Sequence, residues 1–190
     1  IHEKYHETIL KAAKEFKDDK RVEGLLFKYL HFYGTYDYVG DSRKWYNKEI
    51  RIIKNDKHIQ AYKDAQGFRK GTTKLNVKLI DAYVYHYGWV KSPKQMMDKQ
   101  KQVSRFWHND DEVEQQYQRP ESFNFEEYDS LEKFTETHPA VMQKRISEKN
   151  WNIELDISKK KFSLKNKLLY YYEKATGKRL FDFTNYKIIK

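Results

Sequence analysis

Lys78-Leu-Ile-Asp-Ala-Tyr-Val-Tyr-His-Tyr-Gly-Trp-Val90, running into Lys91-Ser92-Pro93, is the stretch on which the fold turns. Val84, Tyr85, Tyr87, Trp89 and Val90 are β-branched or aromatic, the residue types that fit a pleated, half-buried surface. They predict a long strand over residues 75–90. Its end is equally local. Ser92 is a helix N-cap, Pro93 suits the first helical position, and Gln95 is placed to close a capping box. A helix is expected from Ser92 to about Trp107, with Met96, Val103 and Trp107 along one face. A single histidine, His86, sits near the end of the strand, with Gly88 two residues on. A strand passing straight into a helix holds such a side chain on a rigid frame.

Working outward, residues 3–17 place Tyr5, Ile9, Ala12, Ala13 and Phe16 at helical spacing. Opening on Ile1 inside this helix, the sequence reads as the C-terminal part of a longer protein. Residues 22–32 read as a strand whose apolar side chains are too dense for alternation, which predicts burial on both faces. Residues 34–40 form a tyrosine-rich loop between glycines. Residues 48–54 and 58–62 read as strands joined by a turn at Asn55-Asp56-Lys57, a hairpin. A loop with Gly67 and Gly71 covers 63–73. Beyond the central strand lie an acidic segment (108–136), a helix starting at Thr137-His138-Pro139, and a helix over 163–176. That last helix has Leu164, Leu168, Leu169, Tyr172 and Ala175 on one side and Gly177 just past its end.

Hydrophobic residues are only 38% of the 190, but 16 Tyr and 11 Phe imply a core built from rings. No stretch approaches the ~18 apolar residues of a spanning helix, and no signal-peptide pattern is present. Without cysteine there is no disulfide and no thiolate zinc site, which points to the cytosol. The net charge of +10 asks for an anionic partner. It is uneven: residues 110–136 carry ten acidic side chains against Arg119 and Lys133, leaving +18 on the rest.

The segments Arg21-Val-Glu-Gly-Leu-Leu-Phe-Lys-Tyr-Leu-His-Phe-Tyr-Gly34, Ser42-Arg-Lys-Trp-Tyr46, Glu49-Ile-Arg-Ile-Ile-Lys-Asn55, Tyr62-Lys-Asp-Ala-Gln-Gly-Phe-Arg69 and Tyr85-His-Tyr-Gly-Trp89 occur in that order. In this, residues 20–110 resemble the second half of a bacterial family 2 glycosyltransferase with the GT-A fold. The resemblance implies residues 1–109 as the acceptor-side half of a GT-A domain. Residues 110–190, of which it covers 137–190 only loosely, read from their own pattern as an acidic segment and a helical C-terminal extension. The expected fold is α+β and only part of a GT-A domain: a small, mostly antiparallel mixed sheet with flanking helices. The nucleotide-binding strands and an Asp-x-Asp metal motif would lie upstream, so this part would be inactive alone.

Glycosyl transfer needs a base for the acceptor hydroxyl, stabilisation of the diphosphate, and alignment of both. The resemblance makes His86 a ligand for Mn²⁺ or Mg²⁺, a metal otherwise bound largely by the upstream half. It makes Asp64, in the acceptor loop beside Lys63, the catalytic base; Asp41 and Glu49 are alternatives. Arg43, Arg51 and Arg69 are candidates for diphosphate or acceptor anions. Trp45, Tyr46 and Trp89 are candidates for a wall against a sugar ring. His31, among apolar residues, reads as structural. His2-Glu3-Lys4-Tyr5-His6 has the letters of a zinc helix but no third ligand, and reads as a coincidence.

The implied partners are a nucleotide-sugar donor and a glycan or lipid-linked acceptor. The implied reaction is inverting. Peripheral association with the inner membrane face through Lys159–Lys167 and the helix after it fits a lipid-linked acceptor. Exposed sheet edges would invite a homodimer. The competing reading is a basic nucleic-acid-binding module without catalysis. It rests on net charge and on runs such as Phe27-Lys28-Tyr29 and Arg43-Lys44-Trp45-Tyr46.

Overall fold

The computed structural model describes residues 1–63, 67–116 and 122–189. A 3₁₀ turn leads into α1 (His6–Phe16). Six strands follow: β1 (Gly24–Gly34), β2 (Tyr38–Gly40), β3 (Lys48–Ile53), β4 (Ile59–Ala61), β5 (Phe68–Lys70) and β6 (Thr73–Val90). Then come α2 (Pro93–Ser104), α3 (Asp110–Gln116), β7 (Leu131–Lys133), α4 (Gln143–Ser147), α5 (Leu164–Thr176) and β8 (Tyr186–Ile188). The architecture is α+β, an open mixed sheet with helices beside it.

The axis of the sheet is the parallel pair β1 and β6, in register from Gly24↔Val77 to Gly34↔Val90 with two irregularities. β1 is buried over nearly its whole length, as its unbroken apolar run predicts for a strand covered on both faces. On one face Leu25, Phe27, Ile80 and Ala82 pack against Ala12, Ile9 and Phe16 of α1. On the other, Leu26, Leu75 and Val77 pack with Ile50 and Ile59. The free edge of β1 takes β3 and then β2 antiparallel, and β7 continues from β2. Among the described residues five ladders are antiparallel and two parallel, but the longest is parallel.

The local signals around β6 hold. Ser92 Oγ accepts from Gln95 N, and Gln95 Oε1 accepts from Ser92 N, closing the capping box. At the end of α5, Gly177 adopts a left-handed φ of 67°.

Residues 34–40 and 63–73, expected as loops, contribute the short strands β2 and β5. Three larger expectations also fail. Residues 48–62 are not a hairpin. β3 pairs with β1, burying Ile50, while β4 pairs with β5. The Asp56 carboxylate accepts from His58 N at 2.9 Å and from Lys70 Nζ at 2.7 Å, turning β4 away towards β5. Second, the C-terminal region is not only helical. β7 and β8 join the sheet, β8 parallel to residues Leu75–Val77 of β6. Third, the apolar sides drawn for two helices are not both inward. α2 buries Met96 and Met97 but leaves Val103 exposed, and it ends at Ser104, short of Trp107, which is exposed too. α5 exposes Leu164, Leu168 and Tyr172 and buries Tyr170.

Candidate functional site

The parallel register places His31 of β1 directly beside His86 of β6. Their Nδ1 atoms lie 3.2 Å apart. The other nitrogen of His31, Nε2, is 2.9 Å from the Tyr46 carbonyl. A carbonyl only accepts, so His31 carries its proton on Nε2. In the neutral ring Nδ1 is then bare and accepts from Nδ1–H of His86. His86 is thereby left with its lone pair on Nε2. Burial, with His86 as a second cause, holds His31 down at about 4. Burial lowers His86 too, and the cations Lys99 and Arg51 add to it. Both rings are neutral at pH 7, so this tautomer pair is the resting arrangement.

Two glycines make the space. A Cβ on Gly88 would come within 2.7 Å of Cε1 and Nε2 of His86. A Cβ on Gly40 would come within 2.4 Å of the Trp45 indole. The Tyr46 ring stands edge-on to His31 at 4.3 Å between centroids, and Trp45 lies 5.2 Å from His31 on another side. Tyr29 closes the group, 5.7 Å from His86 and 5.0 Å from Tyr46. Trp89 meets Trp45 at 6.3 Å but packs inward against Tyr33 and Phe123. Lys99 reaches back from α2, donating to the Gly88 carbonyl at 2.7 Å and lying over the Trp89 ring.

Of the eight residues singled out for the site, five gather here: His86, Trp45, Tyr46, Trp89 and Arg51. Arg51 lies over the Tyr29 ring and donates to the Tyr29 hydroxyl and to Glu49. The other two arginines are engaged elsewhere. Arg43 is nearly buried, pairing with Glu173 at 2.9 Å and donating to the Leu180 carbonyl. Arg69 packs over Tyr62 on β5, at the opposite end of β6 from His86. Asp64 lies outside the described residues.

The two alternative carboxylates differ sharply. Asp41 is locked: Tyr170 and Lys174 each reach it at 2.5 Å, with Ser130 and Lys160 at 3.3 Å. Burial works to raise its pKa, but the hydrogen bonds from Lys174 and Tyr170 prevail and lower it. Glu49 goes the other way, raised by burial against the opposing pull of Arg51. It borders a cavity of about 370 Å³ formed with Tyr46, Lys48, Gly67, Phe183 and Asn185. A second cavity of about 230 Å³ opens on the other side of Tyr46, towards His31 and Trp45.

Sequence reasoning missed His31 and Lys99 as members of this group. A histidine in an apolar strand carries no mark of its partner; only the parallel register supplies one. His2 is used locally: Nδ1 accepts from Lys4 N, and Nε2 bonds Thr137 Oγ1 at 2.9 Å. Among the described residues no three His, Cys, Asp or Glu side chains converge as a metal site. A neutral imidazole with a bare Nε2 suits one position on a divalent ion and no more. The chain matches no family model, no curated protein and no solved structure.

Proposed function

We propose that this chain is the acceptor side of a metal-dependent glycosyltransferase that uses a nucleotide-sugar donor. The observation that carries this reading is the tautomer lock. His31 holds the proton of His86 on Nδ1 and so presents Nε2 as an electron-pair donor at the end of β6. A histidine ligand commonly has its second nitrogen held in this way, and the holding partner sets the orientation of the ring. The divalent ion would take His86 beside carboxylates supplied upstream, and would offset charge on the leaving diphosphate.

The remaining work falls to this chain's own groups. Trp45 and Tyr46 offer ring faces and edges against which a sugar packs, with the Tyr46 hydroxyl kept protonated by burial. As the acceptor oxygen bonds the anomeric carbon, the bond to diphosphate breaks and the acceptor proton passes to a carboxylate. Asp64 is the base the resemblance implies. Glu49, half-buried beside the larger cavity, is the alternative among the described residues. Lys99 and Arg51 bring positive charge to the histidine pair, where an anion would be drawn.

The test is nucleotide release by the full-length protein from a panel of nucleotide sugars with Mn²⁺. His86→Ala should abolish the metal-dependent part. His31→Phe should weaken the metal requirement by about 10–100-fold in metal affinity, the usual effect of losing a group that orients a ligand. Turnover that survives His86→Ala with unchanged metal dependence removes His86 from the site. If no donor is bound or turned over while oligonucleotides bind with steep salt dependence, the nucleic-acid reading replaces this one. Phe27 and Tyr29 are buried, so those two rings are not offered to bases.

A further inference from the structure

α5 is inserted with its polarity reversed. Its inward positions are Tyr170, Glu173 and Lys174, which bond Asp41 and Arg43. Leu164 and Leu168 are 84% and 75% exposed, and Tyr171 and Tyr172, both about two turns on from Leu164, continue the same stripe. Such a face would ordinarily be the buried one. Lys165 and Lys167 are exposed and fall on opposite borders of the stripe, about 100° and 60° from Leu164 around the helix. Residues 159–179 carry seven lysines and Arg179 against Glu173 alone, a net +7. Phe181, also exposed, borders a cleft with Lys165 and Leu169 and extends the apolar surface past that flank.

We infer that α5 lies in the headgroup region of a bilayer containing anionic lipid, with its leucines in the acyl boundary and its lysines on the phosphates. An apolar stripe bordered by lysines on both sides is the form of an interfacial helix, because each lysine stem covers apolar surface while its ammonium stays at the charged plane. Among the described residues no helix is long and apolar enough to cross a membrane, so contact of this helix is along the surface. A second copy is a poor occupant. Self-pairing would bring the Lys165 and Lys167 borders together with no exposed acid on this helix to meet them. A nucleic acid would answer the lysines and leave the leucines in water. This inference does not depend on the glycosyl-transfer reading.

Flotation of the full chain with vesicles decides it. The chain should float with vesicles containing phosphatidylglycerol, stay behind with phosphatidylcholine alone, and be released by salt. Lys165→Ala/Lys167→Ala should lower partitioning by about thirtyfold, at ~1 kcal/mol for each lysine at the surface. Leu164→Ser/Leu168→Ser should abolish flotation with an unchanged melting curve, since both side chains are exposed. No flotation with anionic vesicles, or flotation indifferent to both substitution pairs, overturns the inference. So does a dimer in sedimentation equilibrium that Leu164→Ser/Leu168→Ser dissolves, which would make a second copy the occupant.

Discussion

α1 and α5 are amphipathic helices of similar length, installed opposite ways round. α1 turns its apolar face to the sheet, where Ala12 is buried against Leu25, Phe27, Ile80 and Ala82. α5 turns charge inward and leucine outward. Helical spacing shows that a face exists; it does not show which face is bound. That is set by what the opposite surface offers. Below α1 it is a sheet of large apolar side chains. Below α5 it is Asp41, Arg43 and Ser130, which only charge and hydroxyl can satisfy.

Three substitutions sharpen or break that contrast. Phe27 is fully buried in the cluster under α1, and Phe27→Ala should cost about 3–5 kcal/mol in urea unfolding. A cost near zero would mean that α1 is not held by burial. Asp41→Asn should cost about 2 kcal/mol, since it unpairs groups that otherwise meet a carboxylate only 6% exposed. The same bond has a pH signature. Because the folded pKa of Asp41 is lowered, its contribution is complete above the ordinary 3.8 and vanishes as pH falls through the lower folded value. Asp41→Asn should lack that acid-side loss, and a variant that keeps it would place the titration elsewhere. Leu168→Ala should change stability by no more than about 0.5 kcal/mol, as for other exposed sites. A cost approaching that of Phe27→Ala would show the stripe to be covered in the folded chain.

What was legible in the sequence was what is local. The strand through His86, its stop at Ser92-Pro93, the doubly buried β1 and the Gly177 terminus of α5 are each specified within a few residues by strand formers, caps or a permitted positive φ. What depends on pairing across distance was not. Nothing near Ile50 shows that it packs against β1 rather than in a hairpin, and nothing near Tyr186 announces a strand parallel to Leu75–Val77. The site divides in the same way. His86, Trp45 and Tyr46 stand out as residue types in short motifs. The proton on His86 is set by His31, and that link exists only through the register of β1 with β6. Arg43 shows the reverse: a cation in a promising motif, committed to Glu173 on a helix whose inward face its own motif does not reveal.

The partnership of β6 with β8 also has a consequence in time. Tyr186 follows Leu75 by on the order of a hundred residues, and a ribosome adds about 5–20 residues per second. The Leu75–Val77 edge therefore waits roughly 5–20 seconds for its last neighbour during synthesis. An open apolar strand on a nascent chain is an invitation to pair with the wrong molecule. Lys74 and Lys78 bracket that edge. Like charges at both ends repel a second copy offered in the same register, and so guard the place until β8 arrives.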